Sequence, residues 1–352
     1  MNPGAAAFPE FGAGFGSELP LARIQRGMAV LATAPRPPVG LTPNVVVHAQ
    51  GRVKLRYYAP PGATRGTPVV LVPSLINKAY ILDLEPGRSL VQALAERGHP
   101  TFVVDWGTPE PENASEDMAA TLGILRRCVD RACRHVGARQ AHLFGYCMGG
   151  TVAAIYAALH PERVKSLTTL AAPILFAEGG RFGSFVQAVD VGAAFPVDEL
   201  IPVERMKPAF QLLDPMGNLS KYLGIEAASH DPRQLARVLV RERWLEENVP
   251  LPGAFAAEFV REGYQKDGLV NESWTIGGRV VRLGDIRVPT LVVSCAKDFI
   301  TPVAAAAPLA ERVSGPARHV CLDVGHIGVV VGGEGPKRFY PLLDEFFRSV
   351  AP

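Results

Sequence analysis

The sequence predicts an α/β fold: a mostly parallel central sheet flanked by helices, with an inserted, mainly helical segment. Three observations predict it. Short runs rich in β-branched residues recur without strict alternation, amphipathic helical stretches lie between several of them, and the rhythm breaks once, over residues 173–287, where prolines are frequent.

Taken in order, residues 1–20 are rich in Gly, Ala, Phe and Pro and lack periodicity, which reads as a flexible leader before a short helix near 20–33. "NVVVHAQGRVKLRYYAP" alternates about a turn at Gln50 and Gly51, the pattern of a β-hairpin. The runs PVVLV (68–72), TFVVDW (101–106), AHLFGY (141–146), SLTTLA (166–171), TLVVSC (290–295) and RHVCLDV (318–324) read as strands buried on both faces. Within 115–136, Met118, Leu122, Leu125, Val129, Ala132 and Val136 recur at spacings of three and four, one face of a helix. The segment 173–287 holds Pro202, Pro208, Pro215, Pro232, Pro250 and Pro252 and a helix candidate in "DPRQLARVLVRERWLEEN". It is expected to form a cap over the carboxyl ends of the strands, where open α/β sheets bind ligands. The expected division is therefore leader and helix over 1–40, core over 41–172 and 288–352, and cap over 173–287.

Composition narrows the function classes. The 36 basic and 34 acidic residues nearly cancel, and no basic stripe interleaved with aromatics occurs, so nucleic acid is not an expected partner. Five cysteines, Cys128, Cys133, Cys147, Cys295 and Cys321, form no CxxC pair. That argues against a disulfide framework and a zinc site and points to the reducing cytoplasm. No basic segment precedes an apolar run at the amino end, and no stretch is long enough to span a bilayer, so neither a signal peptide nor a transmembrane segment is expected. No metal or bound cofactor is implied.

The chemistry is carried by "LFGYCMGGT" (143–151). Gly145-Tyr146-Cys147-Met148-Gly149 matches the G-x-nucleophile-x-G elbow of α/β-hydrolases, with cysteine in the nucleophile's place. The glycines let the chain turn tightly from strand to helix, and a helix amino terminus favours a thiolate. In such folds an acid and then a histidine follow the nucleophile in the chain. Asp298 follows the strand TLVVSC, and His326, set in "GHIG", follows the strand HVCLDV. The three stand at the ends of three different expected strands in the required order. Asp298 alone would read equally well as a helix N-cap. Asp323 is a competing acid but falls inside the expected strand, and ranks below Asp298. The other histidines, His48, His99, His135, His142, His160, His230 and His319, read as surface or helix-end residues. The oxyanion hole is expected from the Met148 N–H and a second N–H in "VPSLINKAY", from Leu75 or its neighbour Ile76. Sulfur at the tip implies a thioester intermediate, formed readily from another thioester and attacked readily by an alcohol. A thioesterase or small-molecule acyltransferase using the same Cys-His-Asp set is the alternative reading.

These motifs together resemble the polyhydroxyalkanoate synthases. "GYCMGGT" is similar to that family's cysteine lipase box, "GHIG" to its histidine motif and "AKDFITP" to its aspartate motif. "VPSLINKAYILDLEPGRSLVQALAERGHPTFVVDWGTPEP" resembles its core strands, with Asn-Lys/Arg-x-Tyr and Asp-Trp-x-x-Pro elements. Cys147 lies near the start, as in the class III or IV catalytic subunit. The resemblance implies (R)-3-hydroxyacyl-CoA substrates and coenzyme A as a substrate moiety only. It implies a growing polyester chain with its granule surface, an accessory synthase subunit and a homo-oligomer. It assigns Cys147 as nucleophile, His326 as base and Asp298 as third member, either orienting His326 or helping to activate the 3-hydroxyl.

Overall fold

A computed structural model describes residues 20–62, 66–211 and 217–350. The elements run α1 (Pro20–Thr33), β1 (Val45–Gln50), β2 (Val53–Tyr58), β3 (Val69–Val72), α2 (Leu90–Glu96), β4 (Thr101–Asp105), α3 (Met118–Val136), β5 (Ala141–Tyr146), α4 (Met148–Leu159) and β6 (Val164–Leu170). They continue through α5 (Gly217–Ala228), α6 (Pro232–Glu246), β7 (Thr290–Cys295), β8 (Ala317–Leu322) and α7 (Tyr340–Ser349), with other helices, among them Gly180–Gln187 and Val203–Gln211, and two pairs of two-residue strands between. The leader over 1–19 lies outside the described residues.

Eight strands make one sheet in the order β1-β2-β4-β3-β5-β6-β7-β8. The hairpin β1-β2 is antiparallel, turning at Gly51, and β2 meets β4 antiparallel. From β4 onward every pairing is parallel. Strands β3, β5 and β7 are buried along their whole length, as continuous apolar runs covered by helices on both faces must be. β8 departs from the expectation. It is the sheet's edge, and Ala317, Arg318, His319 and Cys321 are exposed. A run of hydrophobic character does not reveal which strand comes last.

Helix α3 follows its pattern closely. Asp117 caps it, accepting the Ala120 N–H at 2.8 Å; Gly137, at φ 74°, closes it; and Met118, Leu122, Leu125, Val129 and Ala132 are buried. His142 is a second correction: it is not a surface residue. It points into the interior from β5, its Nδ1 2.7 Å from Ser166 Oγ, and burial lowers its pKa to about 3, so the ring is neutral.

The described residues fall into two compact units, one within residues 38–211 and 240–350 and the other within residues 20–37 and 217–239. The smaller contains α1 and α5, joined where Arg23 and Arg26 both bind the buried Glu226 carboxylate at 2.9 and 3.1 Å. The Arg23 hydrogen bond first, with that of Arg26, holds Glu226 below the usual carboxylate range. The segment 173–287 contributes to both units, and the chain passes from one to the other within α6.

Candidate active site

Cys147 is the single residue between β5 and α4, with φ 56° and ψ −131°. An L-residue in that region is strained by about 1–3 kcal/mol, so the surroundings must hold it there. They do so by close approach. A Cβ on Gly145 would lie 2.4 Å from the Gly150 Cα, and one on Gly149 would lie 2.2 Å from the Val72 carbonyl oxygen. The backbone is fixed as well: the Cys147 N–H donates to the Leu170 carbonyl at 2.9 Å, and its carbonyl accepts from the Gly150 N–H at 2.8 Å. The sulfur is thereby presented, partly exposed, beyond the carboxyl ends of the parallel strands. Cys128, Cys133 and Cys295 are different. Burial pushes their thiols up to about 12, 11 and 12, which keeps them protonated and inert.

Asp298 stands just past β7, its side chain fully enclosed. Its two oxygens have separate tasks. Oδ1 accepts the N–H groups of Ile300 and Thr301 at 2.9 and 2.8 Å, which shapes the turn, while Oδ2 lies 2.6 Å from His326 Nδ1. The next helix starts only at Val303, so the carboxylate is not its cap. His326 follows β8, and Tyr146 holds its loop: the phenol donates to the His326 carbonyl at 3.0 Å, and the two rings lie 5.3 Å apart. Burial disfavours charge on the imidazole, but the Cys147 sulfur and the Asp298 carboxylate outweigh it and raise its pKa to about 10.

Asp323 faces solvent and pairs with Lys297 at 3.1 Å. Met148 opens α4, a position whose N–H has no acceptor within a helix. Leu75 lies buried in the loop leaving β3, which the contact of Gly149 with Val72 and Pro73 presses against the first turn of α4. Two residues had escaped sequence reasoning. Tyr146 was visible only as the variable position of the elbow. Tyr264, from the inserted segment, packs edge-on to Phe176 at 4.8 Å; burial, with the Cys147 charge adding to it, raises its phenol's pKa well above the ordinary value. Among the described residues no cluster of His, Cys, Asp and Glu is arranged to hold a metal ion, and no helix is long and apolar enough to cross a membrane.

Residues 67–332 match the α/β hydrolase fold family, and residues 37–94 match the N-terminal region of poly-beta-hydroxybutyrate polymerase (PhaC). A poly(3-hydroxyalkanoate) polymerase subunit PhaC of Allochromatium vinosum is 30% identical over 338 residues, covering 93% of this chain and 94% of its own. The chain belongs to the poly(3-hydroxyalkanoate) polymerase family. Subunits of the same name from Thiocystis violacea (29% over 342 residues, 93% and 94% covered) and Synechocystis sp. (30% over 323 residues, 88% and 85% covered) are similar to it along most of its length. Among solved structures, Est816, an N-acyl homoserine lactone degrading enzyme, superposes with a TM-score of 0.51 at 22% identity over 86% of this chain and all of its own. A monoacylglycerol lipase of Paleococcus ferrophilus gives 0.50 at 17% identity over 82% of this chain and 98% of its own. Those two likenesses concern the fold alone.

Proposed function

We propose that this member of the family is a polyhydroxyalkanoate synthase that carries its acyl chain on Cys147. The observation that supports the reading most is a strained cysteine elbow served by an imidazole whose far nitrogen is fixed 2.6 Å from a buried carboxylate. His326 takes the thiol proton, and the thiolate adds to the carbonyl carbon of a (R)-3-hydroxyacyl-CoA. The resulting oxyanion is met by the Met148 N–H and by a second N–H from the loop after β3, at Leu75. Collapse breaks the carbon–sulfur bond to coenzyme A, which leaves as the thiol with the proton from His326. A 3-hydroxyl then attacks the acyl-cysteine, giving its proton to His326, and the ester bond forms as the Cys147 thiolate leaves. Asp298 keeps Nδ1 protonated throughout, so that Nε2 is the nitrogen that exchanges protons with sulfur and hydroxyl.

The thermodynamic sense is consistent. Exchange of one thioester for another is nearly level, and conversion of thioester to oxoester runs downhill, so sulfur suits a step that serine would make harder. An accessory subunit, self-association and attachment to a polyester granule belong to the same reading, as does a cytoplasmic location. The test is to incubate the purified protein with 3-hydroxybutyryl-CoA, with and without a candidate accessory subunit, and to follow free coenzyme A and insoluble polyester together. Polyester formed in step with coenzyme A, and lost in Cys147→Ala, is expected; coenzyme A accompanied only by free 3-hydroxy acid would replace the proposal with a thioesterase.

A further inference from the structure

The Asn-Lys/Arg-x-Tyr element, here Asn77-Lys78-Ala79-Tyr80, and the Asp-Trp element at 105–106 take no part in the chemistry above. Both are nevertheless engaged around one loop. The Trp106 indole donates to the Pro73 carbonyl at 3.0 Å, and Lys78 Nζ donates to Thr108 Oγ1 at 2.6 Å. On the other flank, the segment that ends α6 and follows it, residues 244–249, is zipped to the same loop. The Trp244 indole donates to the Lys78 carbonyl at 3.0 Å, Asn77 Nδ2 donates to Asn248 Oδ1 at 2.6 Å, and the Val249 N–H donates to the Ile76 carbonyl at 3.0 Å. The Tyr80 phenol closes the run on Glu247 at 2.9 Å.

We propose that residues 244–249 act as a clasp that sets the second oxyanion donor, with Asn248 and Trp244 as positioning residues. The proposal rests on the reading of the site given above. Its physical basis is peptide planarity. The carbonyl and N–H of a trans peptide point in opposite directions, so a held carbonyl fixes the whole plane. The Pro73–Ser74 plane is held by Trp106 and the Ile76–Asn77 plane by Val249, one on each side of the Ser74–Leu75 peptide that carries the donor N–H. The loop does not supply this restraint itself: Ser74 Oγ is buried and has no hydrogen-bond partner among the described residues. Preorganisation of an oxyanion donor matters because it must be aimed at charge that exists only in the transition state.

This role separates two reactions of the same sulfur. Acyl transfer passes through an oxyanion, whereas alkylation by iodoacetamide does not, yet both need a competent Cys147 and His326. Asn248→Leu and Trp244→Phe, each removing one bond, are therefore compared with wild type in two assays. One is single-turnover coenzyme A release from 3-hydroxybutyryl-CoA; the other is the rate of carbamidomethylation at Cys147, read by peptide mass spectrometry. Acyl transfer is expected to fall on the order of ten- to a hundred-fold, with alkylation within about two-fold of wild type. Asn248→Asp, which keeps the acceptor for Asn77, is expected to retain most of the transfer rate. Equal losses in both assays, or no loss in transfer, would overturn the clasp. A wild-type protein that alkylates at Cys147 but releases no coenzyme A would instead defeat the functional reading, and the clasp with it.

Discussion

Asp298→Asn is the most informative single change at the site, because it divides the two tasks of one side chain. The asparagine carbonyl can replace Oδ1 and keep the bonds now made at 2.9 and 2.8 Å to Ile300 and Thr301, so the turn survives. The amide nitrogen then occupies the place of Oδ2, which now lies 2.6 Å from His326 Nδ1. An NH2 group there can only donate. The ring must accept at Nδ1 and carry its proton on Nε2, the nitrogen facing the sulfur, and it can no longer act as a base. On general acid–base grounds the wrong tautomer lowers turnover on the order of 10³–10⁴-fold. Folding loses less, about 1–3 kcal/mol, the difference between charge-assisted and neutral hydrogen bonds at a buried group. Coenzyme A release under saturating substrate and a thermal melt followed by circular dichroism measure the two effects. Asp298→Ala is the companion, and it should be less stable than the asparagine variant because two backbone N–H groups lose their acceptor. An asparagine variant retaining more than about a tenth of wild-type turnover would refute the assignment of the acid.

Two further outcomes are expected. Cys147→Ala removes one of the two groups that raise His326, so the imidazole titration, followed by NMR, should move down from about 10. The sign for stability follows from the same shift: the ring's partners stabilise the fold fully below about pH 6.5, and that stabilisation is lost as pH rises through about 10, so the high-pH decline in melting temperature should be smaller in the alanine variant and be complete at a lower pH. Gly149→Ala places a methyl 2.2 Å from the Val72 carbonyl oxygen, a backbone atom that cannot rotate away, and should cost about 3 kcal/mol or more in urea denaturation while abolishing acyl transfer.

Much of this architecture was readable in the chain because its signals are local. A buried parallel strand declares itself by a run such as Val69–Val72, and the elbow by the glycines that its packing requires. Asp298 and His326 were legible by order and by position after strands, although nothing in either stretch states that the two side chains meet. The rest depends on partners distant in the chain. Exposure of β8 goes with its place at the end of the strand order, burial of His142 with Ser166 on the neighbouring strand, and the link between residues 76–80 and 244–249 with packing across more than 160 positions. The compact unit that contains α1 and α5 also joins remote pieces, which no periodicity within either piece announces.

The order of strands has a consequence for how such a site can change. Cys147 leaves β5 and Asp298 leaves β7, with β6 alone between them. Two steps of strand spacing make about 10 Å, close to what an imidazole and its two hydrogen bonds span. The sheet thus works as a ruler for proton transfer, indifferent to the identity of the surrounding helices. Evolution could rebuild the walls around the sulfur to admit other acyl chains, but adding or deleting one strand between the two would leave the ring unable to reach both.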